Sequence, residues 1–252
     1  MTRSGTLSSG GAQGLGDPVG PWLEPGPNGA FDDAGTSVAW VGVTGQGVTE
    51  CWYLGWSLGV SVPFRTAIGC AEAAPGATVM MRRSFAPALD RDALDPLSVG
   101  YPCLMMAGEE RLIWYGTHRC PPTGGRAVDH VIRRAHSRDA GRRWTRDPSP
   151  CLDHDRPAEW ALTRPSVLRD AQGWHMWYAR RHEPYRLGYA RSADGMHWVR
   201  DDSAVNFVTP QAAWEAGCRT YPAVIDHGGR RYMFHNGEGY GRSGFGVAVL
   251  EA

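Results

Sequence analysis

Four acidic positions recur along the chain, each just ahead of an apolar stretch. They are Asp33 with Asp32 beside it, Asp95, Glu159 and Glu215, at nearly equal intervals. Carried at equal places by equivalent structural units, such residues would converge on one point. Gathered carboxylates repel, which raises the pKa of one of them and keeps it protonated near neutral pH. A protonated acid facing an ionised base about 6.5–9.5 Å away is what inverting hydrolysis of a glycosidic bond requires. The same residues also suit a plainer role, because acids ahead of strands form turns, as the pair Asp95-Pro96 would.

A second set has the chemistry of recognition. Tyr101, Arg164, Arg219 and Tyr221 stand at or beside the starts of the apolar stretches, where they can hold hydroxyls or an anionic substituent; equally, Arg164 can neutralise Glu159. Trp56, Trp160 and Trp214 fall outside the recurring aromatic positions and are candidates to stack on a sugar ring. The segment HNGEGYGRSGFG, from His235 to Gly246, offers His235, Asn236, Tyr240 and Arg242 around a glycine-rich turn. Its Gly239, Gly241 and Gly244 fit the dinucleotide fingerprint, but a terminal strand follows where that fingerprint needs a helix. The segment reads instead as a hairpin that lets backbone approach a ligand, or as a plain turn.

The elements that would position these residues are read from an internal repeat. SVAWVGVTGQGVTECWYLGW from Ser37, YPCLMMAGEERLIWYGTHR from Tyr101, RPSVLRDAQGWHMWYARR from Arg164 and YPAVIDHGGRRYMFHNG from Tyr221 each give an apolar strand, a polar turn and an aromatic strand. The pairs Trp52-Tyr53, Trp114-Tyr115 and Trp177-Tyr178 recur at almost the same interval, and Pro102, Pro165 and Pro222 keep step with them. Third strands follow at Phe64, Val131, Tyr185 and Gly244, and YRLGYARS alternates with period two. PALDR, PSPCLD and SAVNFV are expected as short fourth strands of the first three units. Such units, repeated at near-constant period, are the blades of an all-β propeller with four-stranded antiparallel blades, four of them visible. The last blade lacks an outer strand, and Pro18 to Gly26 is expected to supply it and close the ring. SRDAGRRW, from Ser137, fits the S-x-D-x-G-x-x-W turn found on the outer part of propeller blades.

Composition bounds the rest. With 252 residues, 11 Trp, 33 Gly and 18 Pro, the chain suits one domain of many short strands. Residues 1–16, rich in Gly and Ser, are expected to be disordered, and 17–252 to form the propeller. Formal net charge is zero, with all 26 cations Arg, which leaves no basic footprint for nucleic acid. No apolar run has membrane-spanning length and the N-terminus has no signal-like core, so a soluble cytoplasmic protein is expected. The six cysteines lack zinc or redox spacing, and the nine histidines lack HxxxH or HxH spacing, so no metal or cofactor is expected. Oligomeric state stays open.

From Pro18 to Ala252 the chain resembles the five-bladed propeller superfamily of glycoside hydrolases, families 32, 43, 62, 68 and 130, and an uncharacterised branch of it most closely. GAFDDAG, WYLGWSLGVSVPFRTAIG, APALDRDALDP, TRPSV, MWYARR, YRLGYARSADGMHWVRDD and HNGEGYGRSGFGVAVLE carry the likeness. The resemblance implies a further blade upstream of GAFDDAG, where this sequence has only the segment Met1 to Asn28. It also implies, in the family-43 order, Asp33 as base, Asp95 as pKa modulator and Glu159 as acid. Asp32, Trp56, Tyr101, Arg164, Glu215, Tyr221, His235, Asn236, Tyr240 and Arg242 would then contact a carbohydrate or other small-molecule substrate. Three functions fit: hydrolysis of a small glycoside, carbohydrate binding without catalysis, or a biosynthetic cyclisation or isomerisation by the same acids.

Overall fold

The computed structural model describes residues 21–77, 79–120, 129–154, 159–181, 185–205, 212–215 and 218–251. The expected disordered segment 1–16 lies outside these residues. The chain is all-β, in four antiparallel sheets taken in sequence order. Blade 1 holds β1 (Gly35–Val43), β2 (Thr49–Leu58), β3 (Phe64–Ala73) and β4 (Met81–Arg82). Blade 2 holds β5 (Val99–Ala107), β6 (Glu110–Cys120), β7 (Asp129–Ser137) and β8 (Thr145–Arg146). Blade 3 holds β9 (Leu162–Asp170), β10 (Gly173–Arg181), β11 (Tyr185–Ser192) and β12 (Val199–Arg200). Among the described residues blade 4 has three strands, β13 (Thr220–His227), β14 (Arg230–Asn236) and β15 (Phe245–Glu251).

The recurring Trp-Tyr pairs split between two tasks because neighbouring residues of a strand face opposite sides of the sheet. Trp52 and Trp114 are fully buried between blades. Trp52 packs with Ile68, Val99 and Tyr115 between blades 1 and 2, and Trp114 with Leu162, Val167 and Trp174 between blades 2 and 3. The turn from Ser137 behaves as its pattern predicts. Asp139 accepts from the backbone N–H groups of Arg142 and Arg143, and Trp144 is delivered edge-on to Trp52 at 5.6 Å. Among the described residues no comparable cluster joins blade 4 to blade 1, and Val41, Val43, Ile225 and Phe245 stay exposed.

Two expectations about strands are corrected. The outer strands are the pairs Met81–Arg82, Thr145–Arg146 and Val199–Arg200, which lie upstream of PALDR, PSPCLD and SAVNFV. In two of those segments Leu89 and Leu152 make only isolated bridges, to Ile68 and Ile132; SAVNFV runs partly outside the described residues. The N-terminal segment does not complete blade 4 where it is described. Trp22 accepts from the Met80 backbone N–H, Leu23 from the Thr36 hydroxyl and Glu24 from Arg82, so the segment lies on blade 1. Leu23 explains the choice, since it packs on the apolar face formed by Cys51, Tyr53, Ala71 and Met80.

Cys51, Cys70, Cys103, Cys151 and Cys218 are free, and burial lifts the thiols of Cys51 and Cys103 to about 11, which makes these two inert packing residues.

Candidate functional site

The recurring acids occupy equivalent places, but each is tied to an arginine. Asp32, fully buried, accepts from the Tyr53 hydroxyl at 3.0 Å and from Arg82 Nε at 2.8 Å. Asp95, also fully buried, accepts from the Tyr115 hydroxyl at 2.6 Å and Arg146 Nε at 2.7 Å, with Arg133 Nε 3.0 Å from its other oxygen. In blade 3 the job is shared. Glu159 takes both terminal nitrogens of Arg200, at 2.7 and 2.9 Å, while Asp202 accepts from the Tyr178 hydroxyl at 2.5 Å and from Arg200 at 2.6 Å. Glu215 holds Arg219 through two nitrogens at 2.8 Å, and His235 stands in the tyrosine's place. Burial opposes the Glu215 charge, yet the Arg219 hydrogen bonds outweigh it and hold the carboxyl below its usual range. The phenols of Tyr53, Tyr115 and Tyr178 are pushed up by burial and by the acids they donate to, so they remain donors.

The pattern is a clamp. Arg82, Arg146 and Arg200 are the second residues of the two-residue outer strands, so in the first three blades the inner loop is pinned to the outermost strand by a Tyr, acid and Arg set. Arg82 and Arg146 follow their acids by 50 and 51 residues, while Arg200 follows Glu159 by 41, a signal that reading the acids alone misses.

The concave site lies elsewhere. A cleft of about 560 Å³ is lined from all four blades, by Ser37, Val38, Trp56 and Phe64, by Tyr101, His118 and His130, by Arg164, Arg181 and Tyr185, and by Tyr221, Asn236 and Tyr240. Its volume falls within the range of small-ligand sites. No carboxylate is among its described lining residues. Of the predicted residues, Trp56, Tyr101, Arg164, Tyr221, Asn236 and Tyr240 therefore meet in one place. Asp32, Asp95, Glu159, Glu215, His235 and Arg242 do not line it. His235 is buried and stacked on Trp214 at 5.8 Å, which also removes Trp214 from the stacking candidates. Asp33 lines a separate cleft with Phe31, Arg65, Phe85 and Arg91, and accepts from the Gly29 backbone N–H at 2.9 Å. Of the four recurring acids, Asp95, Glu159 and Glu215 are each held by an arginine and Asp33 lines a cleft of its own, so none of them lines the central cleft.

The backbone shows how the cleft is made. Tyr101, Arg164 and Tyr221 hold left-handed φ values of 52°, 53° and 55°, each directly before a proline. Each sits where the pairing register of its inner strand shifts, between Gly100 and Cys103, between Thr163 and Ser166, and between Thr220 and Ala223. Proline cannot donate to the ladder, and a bulge re-aims the side chain beside it. A left-handed tyrosine or arginine costs on the order of 1–3 kcal/mol, a strain that collects at functional sites. Tyr240 adds a fourth such residue at φ 61°, between the left-handed Gly239 and Gly241, so the glycine-rich segment is a tight turn that carries a ring to the cleft.

Four tyrosines form a continuous wall. Tyr221 meets Tyr101 at 5.8 Å, Tyr185 at 5.6 Å and Tyr240 at 5.6 Å, ring centre to ring centre. An arginine closes each end, Arg164 over Tyr101 at 5.6 Å and Arg181 over Tyr185 at 5.1 Å. Arg164 also donates to the Val38 carbonyl of blade 1 at 3.1 Å, and among the described residues it has no carboxylate partner, so it does not neutralise Glu159. Opposite, His118 and His130 approach to 4.2 Å. Burial holds His118 at about 4, and burial with His118 beside it keeps His130 well below its ordinary value, so both rings are neutral at pH 7. His118, His130, Arg181, Tyr185 and Phe64 were not legible as site residues, since they stand at the ends of second strands and the starts of third strands. Only the meander geometry brings those ends to the mouth.

A ring of antiparallel sheets around a cleft at the inner-strand starts is the architecture of the glycosidase-type propellers. The fold is similar to a glycoside hydrolase of known structure (18% identity, TM-score 0.67, 89% of this chain and 71% of that one). It is also similar to Zg3597, a family 117 glycoside hydrolase from Zobellia galactanivorans (15%, 0.60, 92% and 74%). A third likeness is to the beta-1,2-mannobiose phosphorylase of Listeria innocua (14%, 0.64, 89% and 60%). No family model matches the chain. Uncharacterized protein Rv1502 of Mycobacterium tuberculosis is 38% identical over 236 residues, which span 93% of this chain and 77% of that protein. The chain belongs to the Rv1502 family.

Proposed function

We propose that the protein is a carbohydrate-recognition propeller that takes a small glycoside in the central cleft, and that Asp95 and Glu159 serve the scaffold. The observation that carries this is the set of left-handed residues Tyr101, Arg164 and Tyr221, where three blades each sustain strain to aim a binding side chain at one space. Aromatic rings with a few placed polar groups suit a sugar, whose apolar face stacks while its hydroxyls are held. Titration with a panel of monosaccharides and aryl glycosides, followed by the fluorescence of Trp56 and by calorimetry, tests it. Saturable binding that Tyr221→Ala weakens at least about tenfold supports the proposal. A panel with no ligand, or binding that Tyr221→Ala leaves unchanged, overturns it.

Hydrolysis by an inverting pair is the competing function, favoured by the likeness of the fold to glycoside hydrolases and by Asp33, which is half-buried and lines a cleft of its own. Its weakness is geometric, because Asp95 and Glu159 are taken up by arginines and neither lines the central cleft. Turnover of an aryl glycoside by the wild type, abolished by Glu159→Gln in a protein that melts normally, would establish that function instead.

A further inference from the structure

We infer that the ligand of the central cleft is an acidic sugar, one bearing a carboxylate or a phosphate ester that lies between Arg164 and Arg181 with its ring against the tyrosine wall. This rests on the carbohydrate-binding function proposed above and specifies the substrate class.

The argument begins with how the protein uses its arginines. Those withdrawn from solvent are almost all paired, as in Arg82 with Asp32, Arg111 with Glu50, Arg134 with Asp147 and Arg219 with Glu215. Among the described residues, arginines with no carboxylate at ion-pair distance divide sharply. Arg65, Arg142, Arg143, Arg169, Arg186, Arg230 and Arg242 are exposed, where water solvates them. Arg164 and Arg181 alone are partly buried, and both line the cleft. A guanidinium taken out of water without an anion is unfavourable, and contact with tyrosine faces offsets only part of that cost. Burial draws the Arg164 pKa down with no acid to restore it, in keeping with an uncompensated charge.

Among the described residues nothing lining the cleft relieves these charges. The described lining holds no carboxylate, Tyr101, Tyr185 and Tyr221 stay neutral because burial raises their pKa values, and the two histidines are neutral too. The cleft is therefore a cationic concavity floored with aromatic rings. A neutral sugar would leave both guanidinium charges unmatched. An acidic sugar would supply the missing anion through charge-assisted hydrogen bonds in the fork geometry that arginine gives to carboxylate and phosphate.

The test is calorimetric titration of the full chain with D-glucuronate, D-galacturonate, glucose 6-phosphate, D-glucose, D-galactose and inorganic phosphate. Acidic sugars are expected to bind at least about tenfold more tightly than their neutral counterparts, and raising salt should weaken only the acidic ones. The preference between uronates and the phosphate ester identifies which anion the site takes. Arg181→Gln should abolish the preference while Arg91→Gln, in the neighbouring cleft, keeps it. Arg181 is the first variant because Arg164 also braces Val38, and melting curves accompany each protein. Equal affinity for acidic and neutral sugars would overturn the inference and leave the recognition function standing. Inorganic phosphate binding as tightly as glucose 6-phosphate would overturn it as well, since the site would then be for an anion without a sugar. No binding by any sugar would overturn both.

Discussion

Removing one arm of the clamp in blade 2 separates a structural acid from a catalytic one. Asp95 has no exposed surface, and its oxygen Oδ2 takes both the Tyr115 hydroxyl and Arg146 Nε. Arg146→Met keeps much of the length of the side chain and removes its charge, so the carboxylate is left buried with Tyr115 and Arg133. A charge-assisted hydrogen bond contributes about 1.5–3 kcal/mol, and breaking a buried pair from one side costs about 3–5 kcal/mol. Because Arg133 remains 3.0 Å from Oδ1, the lower part of that range applies, roughly 2–4 kcal/mol. For a chain of this size each kcal/mol moves the melting temperature by about 2–4 °C, so a fall of roughly 5–15 °C is expected. Differential scanning calorimetry or urea unfolding measures it, with Arg138→Met as the reference. Arg138 pairs with Glu110 at 3.0 Å but is 85% exposed, and such pairs contribute about 0–1 kcal/mol. Adding Asp95→Asn to Arg146→Met should recover part of the loss, since the carboxylate charge is gone although Arg133 then lacks its acid. Sugar affinity at a temperature where the variant is folded should be unchanged. An Arg146→Met protein that melts within a degree or two of wild type would refute the clamp, and a normal melt with lost turnover would return Asp95 to catalysis.

Two further outcomes follow from the cleft and the blades. His118 has a folded pKa near 4 against an ordinary 6.5, so the unfolded chain binds the proton more readily and stability falls as pH drops through this window. The stabilisation is complete above pH 6.5, and roughly 3 kcal/mol is lost by pH 4, with His130 acting in the same direction. A urea-midpoint series from pH 7 to 4 should show this slope, and His118→Gln should flatten it; an unchanged slope would refute the assignment. In blade 3, a Cβ on Gly188 would lie 2.3 Å from Tyr178 Cε2 and 2.9 Å from Asp202 Oδ1. Gly188→Ala should therefore destabilise the protein by about 1–3 kcal/mol through overpacking of the clamp, read as a lowered urea midpoint, and a neutral substitution would show that the tyrosine does not lie over the glycine as described.

The fold was largely legible because a repeat states its own architecture. The Trp-Tyr spacing places the second strands, the prolines place the inner strands, and the turn from Ser137 marks the outer edge of blade 2. The outer strands were misplaced because two residues carry no periodicity: Met81–Arg82 is an outer strand by virtue of pairing with Ala71 and Glu72, not by composition. The site was half legible. Tyr101, Arg164 and Tyr221 could be found because they precede the recurring prolines. Arg181 and His118 could not, because nothing local shows that the ends of β10 and β6 open onto one cleft.

The arginine pairing of the acids has a physical cause. Duplicated sheets must repeat whatever holds a sheet together, so a residue that recurs with its chemistry intact in three blades is first a candidate for the scaffold. Asp32, Asp95 and Glu159 pass that test together with the arginines that match them, Arg82, Arg146 and Arg200. A ligand on the axis imposes the opposite rule, since no sugar has the symmetry of the ring and each blade must offer it something different. The equivalent inner-strand positions do differ: Val38 in blade 1 presents a carbonyl to Arg164, blades 2 and 4 present Tyr101 and Tyr221, and blade 3 presents a cation. Shared backbone strain with divergent side chains is what separates the cleft from the clamps, and it favours recognition at Tyr101, Arg164 and Tyr221 over recognition at the acids beneath them.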